Sequence, residues 1–279
     1  MIKFVTDSTA YLPEETVHKH DIRVVPLYVH FGETAFREGV DLSNGEFFDR
    51  LKAAPVLPTT SQPSAGEFRE VFQELAGQGH EIVTLTISSK LSGTWNSAMA
   101  AKEMLPNVGI SVVDSLSTSV GLQLMLEDAL SAAAQGATRP EIEDLIEQIK
   151  SKIKVLFVVD TLEYLAKGGR IGNAKAFLGT LLKVKPILVL QEGVIEPCEQ
   201  VRSKRKALLR MLDLVEEHLG NQAPQARVAI TNALVSEEAQ SLAQELAERL
   251  SCSEPLIADI GPVIGTHTGP GVIGVASYA

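Results

Sequence analysis

The segment Glu81–Ala98, EIVTLTISSKLSGTWNSA, constrains the fold more than any other part of the chain. Ile82, Val83, Leu85 and Ile87 make an apolar run of strand length, which passes through a Ser/Gly-rich turn into a segment of helical composition. Such a turn leaves backbone N–H groups unpaired and adds the hydroxyls of Ser88, Ser89, Ser92 and Thr94, so it can hold an anion without a metal. The simpler use of Ser92 is as a helix cap. In an open α/β sheet the carboxyl end of a strand is also where ligands sit.

The same unit recurs through the first half. Ile2–Thr6 reads as a strand running into Asp7-Ser8-Thr9 and then the helix-opening Pro13-Glu14-Glu15. Asp7 suits either an Asx turn or the orienting of a ligand or hydroxyl. Thr9 stands where a D-x-D phosphatase motif needs its second Asp, which argues against that chemistry. Arg23–Phe31 and Val108–Val113 are strand-like, and capping boxes at Ser43/Glu46, Ser64/Glu67 and Thr138/Glu141 start helices. Strand and helix alternate, which predicts a mostly parallel sheet in an N-terminal α/β/α sandwich over residues 1–151. Within it Ala54–Ser64, APVLPTTSQPS, reads as a rigid extended loop in which Pro58 and Pro63 preorganise Thr59, Thr60, Ser61 and Gln62 as donors.

The second half is patterned differently. Val155–Val159 is a strand, and a short helix ends in Lys167-Gly168-Gly169-Arg170, where two glycines bring Arg170 out at a fixed place. Lys185–Leu190 and Val194–Gln200 form a hairpin, Ser203–Leu219 an amphipathic helix, and Val228–Thr231 and Pro255–Ile260 further strands around the helix Ser236–Leu250. Hairpins mixed with helices predict a C-terminal α+β domain, residues 152–279, with a mainly antiparallel sheet. The chain closes with Gly261–Ala276, whose five glycines and two prolines read as a loop. His267, between Thr266 and Thr268, is there free to point at a ligand, and its charge is adjustable near neutral pH.

Net charge is 25 − 35 = −10, which argues against general nucleic-acid binding. Residues 150–210 nevertheless carry 13 Lys/Arg against 5 Asp/Glu, a local +8. Part of it, Arg202, Lys204, Arg205, Lys206 and Arg210, opens a helix whose dipole opposes positive charge, so a purpose other than helix stability is expected. The segment suits a docking face for an acidic partner, a phosphate-bearing ligand or transient contact with an anionic membrane surface, as against an ordinary solvated face. Cys198 and Cys252 lie far apart without metal-like spacing and are expected as free thiols. No apolar run reaches the roughly 20 residues of a membrane span, and the N-terminus lacks signal-peptide character, so a cytoplasmic location is expected. The chain has no P-loop, protein-kinase glycine loop, G-x-S-x-G elbow or metal-ligand cluster, so no catalytic residue, metal or cofactor is assigned.

Six motifs taken in order, Asp7-Ser8-Thr9, Thr60-Ser61-Gln62-Pro63-Ser64, Leu91-Ser92-Gly93-Thr94, Tyr164–Ile171, Lys185-Pro186-Ile187-Leu188 and Gly265–Gly271, together resemble the DegV family over essentially the whole chain. The resemblance implies a bacterial fatty-acid-binding protein of two α/β domains with one long-chain fatty acid between them. It further implies a binding subunit that presents the fatty acid to a separate ATP-binding kinase subunit, which makes an acyl phosphate for phospholipid synthesis. Carried over by motif, the carboxylate is held by Thr60, Ser92, the Gly93 N–H and His267, with Asp7, Ser61, Thr94 and Thr266 in the supporting loops. Arg170 and Arg202 match positions used to dock the kinase subunit. Trp95 departs from the family's usual Tyr or Phe and is expected to alter the pocket wall; Tyr11 also departs, from a position that is often polar. Two other readings stand beside this one: a serine hydrolase or acyltransferase with Ser92 as nucleophile and His267 as base, and a binder of phosphate-bearing ligands.

Overall fold

The computed structural model describes residues 1–179 and 184–279. The apolar runs of the first half become strands in the predicted places. β1 (Ile2–Asp7) and β2 (Arg23–Val25) come first. Pro26 lacks an N–H and ends β2, so the strand-like stretch 23–31 splits in two. A small antiparallel sheet follows, β3 (Tyr28–Phe31), β4 (Thr34–Arg37) and β5 (Thr59–Ser61), in the order β4-β3-β5. β6 (Glu81–Thr86) and β7 (Ile110–Asp114) then complete an all-parallel sheet in the order β2-β1-β6-β7. The three capping boxes open α2 (Asn44–Ala53), α3 (Ala65–Gly77) and α6 (Arg139–Lys152). Helices α1 (Glu14–His20) and α4 (Thr94–Glu103) follow β1 and β6.

α5 (Ser119–Ala134) occupies the middle of the molecule. Its first eight residues, SVGLQLML, are all buried, as an all-round apolar helix requires. Beyond α6 lies a six-stranded sheet of β8 (Lys154–Val158), β9 (Lys185–Gln191), β10 (Val194–Val201), β11 (Arg227–Asn232), β12 (Leu256–Asp259) and β13 (Ile273–Tyr278). Its order is β10-β9-β8-β13-β11-β12, antiparallel throughout except for β11 with β12. The period of two assigns its faces. Leu156, Val158, Ile230 and Val275 pack under α8 (Lys204–Leu219) and α9 (Ser236–Leu250), while Val155, Phe157, Leu188 and Ala276 join the core shared with the parallel-sheet half. α7 (Glu163–Lys167) and α10 (Pro262–Thr268) close that second face.

Two expectations change. Ala54–Ser64 is extended as predicted, but its centre is strand β5, paired to β3 with Thr60 opposite Val29. As an edge strand it tolerates prolines on either side. The larger correction is Gly261–Ala276, which is not a loop. Pro262–Thr268 is helix α10, so His267 sits on a helix, and β13 lies between β8 and β11 with every residue buried. Gly274 marks a close approach inside that strand, since a Cβ there would stand 3.1 Å from Thr231 Cγ2 and 3.2 Å from Phe157 Cβ.

Candidate functional site

The order β2-β1-β6-β7 reverses direction between β1 and β6, the point at which open parallel sheets bind ligands. There Asp7 Oδ2 accepts from the Ile87 N–H at 2.7 Å, and Oδ1 accepts from the Thr9 N–H at 3.0 Å and Thr9 Oγ1 at 2.6 Å. Asp7 thus ties the ends of β1 and β6 together, and its burial raises its pKa to about 6 against the pull of those hydrogen bonds. Between this edge and the cavity-facing side of the six-stranded sheet lies a cavity of ≈ 900 Å³ of empty space, counting its mouth. Its walls are mostly apolar: Leu27, Ile87 and Val120 from one half, and Val155, Phe157 and Leu190 from the other.

Polar groups gather at one end. Thr60, Ser61, Gln62, Ser92, Arg170 and His267 all line it. Thr60 Oγ1 and His267 Nε2 share a hydrogen bond of 2.8 Å across 207 residues of sequence. His267 is only 8 % exposed, and burial, with the nearby Arg170 guanidinium, pushes its pKa down to about 4, so the ring is neutral at physiological pH. Its Nδ1 has no hydrogen-bond partner among the described residues. Gly168 packs directly on that atom, and a Cβ there would collide with Nδ1. The Gly168-Gly169 pair therefore serves the approach of His267 as well as the turn before Arg170.

Arg170 turns inward. Its Nε donates to the Leu91 carbonyl at 3.1 Å and its Nη1 to the Gly168 carbonyl at 2.9 Å, which holds the guanidinium at the cavity. Ser92 Oγ and Thr94 Oγ1 are 2.9 Å apart, and Gly93 occupies the N-cap position of α4 with the Gln62 amide stacked on it. Ser61 shares a 2.8 Å hydrogen bond with His30 Nε2. Thr266, in contrast, donates to the Pro262 carbonyl within α10, at 2.8 Å. Trp95 is absent from the cavity lining, so its departure does not shape the wall. The structure thus gathers Thr60, Ser61, Ser92 and His267, with Gly93 and Thr94 just behind, and leaves Asp7 and Thr266 in bracing roles.

Arg202 lies elsewhere. Gly172, two residues past Arg170, abuts the Ile195 carbonyl, whereas Arg202 follows the end of β10, about 20 Å further along the strand. Much of the basic segment is spent locally: Lys204 pairs with Glu238 at 2.9 Å, and Arg210 with Glu199 at 2.8 Å and Glu217 at 2.7 Å. Arg202, Arg205 and Lys206 remain exposed. Lys183, also counted in that segment, lies outside the described residues.

Sequence reasoning missed the clamp on the histidine-bearing helix. The N–H of Val263, in the first turn of α10, donates to Glu38 Oε1 at 2.7 Å, and the Ile264 N–H to Tyr11 Oη at 3.3 Å. Tyr11 Oη and Ser8 Oγ in turn donate to Glu38, at 3.2 Å and 2.5 Å. Burial raises the Glu38 pKa to about 7 in spite of these donors. Tyr11, an oddity in the sequence, is thereby explained as an acceptor for a helix end. No local pattern announces partners more than 200 residues apart.

The model of a family described as "Uncharacterised protein, DegV family" matches residues 1–279. A DegV domain-containing protein of Halalkalibacterium halodurans is 39% identical over 99% of this chain and 98% of its own. Protein DegV of Bacillus subtilis is 38% identical over 98% of each. Among solved structures, a DegV family protein from Thermus thermophilus, described for its fatty acid binding, superposes with a TM-score of 0.95 at 35% identity, covering 100% of this chain and 99% of that one. DegV of Bacillus subtilis, described as a fatty acid binding protein, superposes at 0.89 with 36% identity over 99% and 98%.

Proposed function

The chain belongs to the DegV family, and on that premise we propose that it is a carrier of long-chain fatty acids that presents the acyl carboxylate to a separate ATP-dependent kinase subunit. The observation that carries this reading is an apolar cavity ending in one cluster of donors around the Thr60–His267 hydrogen bond. An alkyl chain gains about 0.8 kcal/mol for each methylene buried, so the apolar walls supply affinity. An ionised carboxylate buried without partners is costly, so the polar end must supply several donors. A neutral His267 protonated on Nε2 donates to Thr60 Oγ1 and turns the Thr60 hydroxyl proton toward the carboxylate. Ser92 Oγ and the Gly93 N–H add donors, and the Arg170 guanidinium, held by two carbonyls, supplies the compensating charge. Arg202, which stays exposed, is the proposed contact for the kinase subunit, whose product, an acyl phosphate, enters phospholipid synthesis. No helix among the described residues is long and apolar enough to cross a membrane, and a carrier that works in the cytoplasm is part of the proposal.

The hydrolase reading finds less support. Among the described residues Ser92 bonds Thr94 and His267 bonds Thr60, and no hydrogen bond joins Ser92 to His267, as a nucleophile and its base would require. Denaturing extraction of the purified protein followed by mass spectrometry tests the carrier reading. A stoichiometric fatty acid is expected; a protein that brings none and takes up none when it is added overturns it.

A further inference from the structure

The cavity wall carries a second set of polar groups, on elements other than those that bear the carboxylate cluster. Thr118 and Ser119, at the start of α5, and Thr231, on β11, all line it, and none belongs to an element that supplies the first cluster. Ser119 and Thr231 are 4 % and 6 % exposed. Ser119 Oγ donates to Thr231 Oγ1 at 3.0 Å, which leaves the Thr231 proton without an acceptor among the described residues. Thr118 Oγ1 is buried and has no partner there either. Ser119 also holds φ at +51°, a left-handed backbone that a serine seldom adopts and that the surrounding fold must enforce. Ile87, Val120, Phe157 and Val272 are apolar members of the same cavity wall.

The sheet relates them to the segment that follows His267. The chain just after His267 is tied to Ala233, through Gly271 N–H to the Ala233 carbonyl and Ala233 N–H to the Val272 carbonyl, each near 3 Å. Thr231 lies two residues further along β11, a step of about 7 Å, which several methylenes of an acyl chain span. A plain alkyl chain passing this level leaves the hydroxyls facing methylenes. A chain that carries oxygen there satisfies them.

We propose that Thr118, Ser119 and Thr231 form a second polar station that selects fatty acids bearing a mid-chain hydroxyl. The Thr231 hydroxyl donates to the ligand oxygen, and the ligand hydroxyl donates to Thr118 Oγ1 or to the free lone pairs of Ser119 Oγ. The proposal rests on the fatty-acid reading of the same cavity and adds the class of chain. A site built to hydrogen-bond a ligand hydroxyl discriminates strongly against the analogue that lacks it, whereas an apolar wall does not.

The test compares stearic acid with mid-chain hydroxystearic acids by calorimetric titration of the delipidated full chain. The hydroxylated ligands are expected to bind at least about tenfold more tightly than stearic acid. Thr231→Val, nearly the same in shape, is expected to reverse the preference, with stearic acid gaining. Thr118→Val, at a less buried position, provides the same reading should the first variant fold poorly. Equal or better binding of stearic acid by the unaltered protein, or a preference that both variants leave intact, overturns the second station while fatty-acid binding stands. Failure of every fatty acid to bind overturns the carrier reading itself.

Discussion

The parallel-sheet half brings its hydroxyl and backbone donors to the cavity on turns, whereas the six-stranded half brings sheet-borne wall residues, a histidine on a helix and Arg170. Thr60, Ser92 and Gly93 each belong to a short extended or turn segment stiffened locally, by β3 and two prolines in one case and by the start of α4 in the other. Val155, Phe157, Leu190 and Gly274 present themselves only because strand register points alternate residues at the cavity. His267 is held by neither device. Its helix is clamped by Glu38 and Tyr11 from the other half, and Gly168 makes room for its ring. Donors on local turns can be exchanged singly; a residue held by long-range contacts depends on everything that holds it.

The sharpest break in that contrast is to remove the turn donors. Thr60→Val with Ser92→Ala is expected to weaken fatty-acid binding by at least about a hundredfold, because hydrogen bonds to a charged group are each worth about 1.5–3 kcal/mol. Displacement of a fluorescent fatty acid measures it, and melting of the unliganded protein is expected to show a loss of stability no larger than that of the Thr60–His267 hydrogen bond, about 1–3 kcal/mol. Gly168→Val probes the other side. Its side chain would collide with His267 Nδ1 and Tyr164, so a loss of about 1–3 kcal/mol in urea unfolding is expected together with weakened binding. Unchanged binding in that variant would mean that His267 does not depend on the fit.

The clamp has a pH signature of its own. Glu38 and Asp7, raised to about 7 and about 6, contribute stability that is present below their unfolded values of 4.5 and 3.8 and is lost as pH rises through the folded ones. His267, lowered from 6.5 to about 4, acts in the opposite sense: its contribution is present above 6.5 and is lost as pH falls through about 4. Desolvation lowers His218 as well, so the two carboxyls act against two imidazoles, and the melting temperature is expected to rise only modestly as pH falls from 8 to 5. Glu38→Gln keeps an acceptor for the Val263 N–H and removes one titration, and it should flatten that rise; an unaltered slope would remove Glu38 from the account. The smallest effect is expected from Ser64→Ala, which deletes one capping box far from the clamp at a cost of about 1 kcal/mol and leaves ligand affinity intact.

Legibility followed the same division. The three capping boxes, the parallel strands and the donor turns at 60–62 and 88–94 were readable because each is written within a few consecutive residues. Gly261–Ala276 was misread for the converse reason. Its glycines and prolines are loop chemistry locally, yet distant partners cap α10, and Gly274 is a strand residue where Thr231 and Phe157 leave no room for a side chain. Arg170 was found by the glycine pair beside it, but its inward turn toward the Leu91 carbonyl was not foreseeable from that pair.

By itself the sequence determined the fold class, the switch from parallel to antiparallel pairing and the hydroxyl turns that can receive an anion, since periodicity and caps are local properties of the backbone. Tertiary structure alone decided that Thr60 meets His267, that Glu38 and Tyr11 hold α10, and that Thr118, Ser119 and Thr231 interrupt a hydrocarbon wall. Contacts between residues more than 100 positions apart depend on which faces the sheets turn to each other, and that is settled by the burial of the whole core rather than by any one stretch of chain.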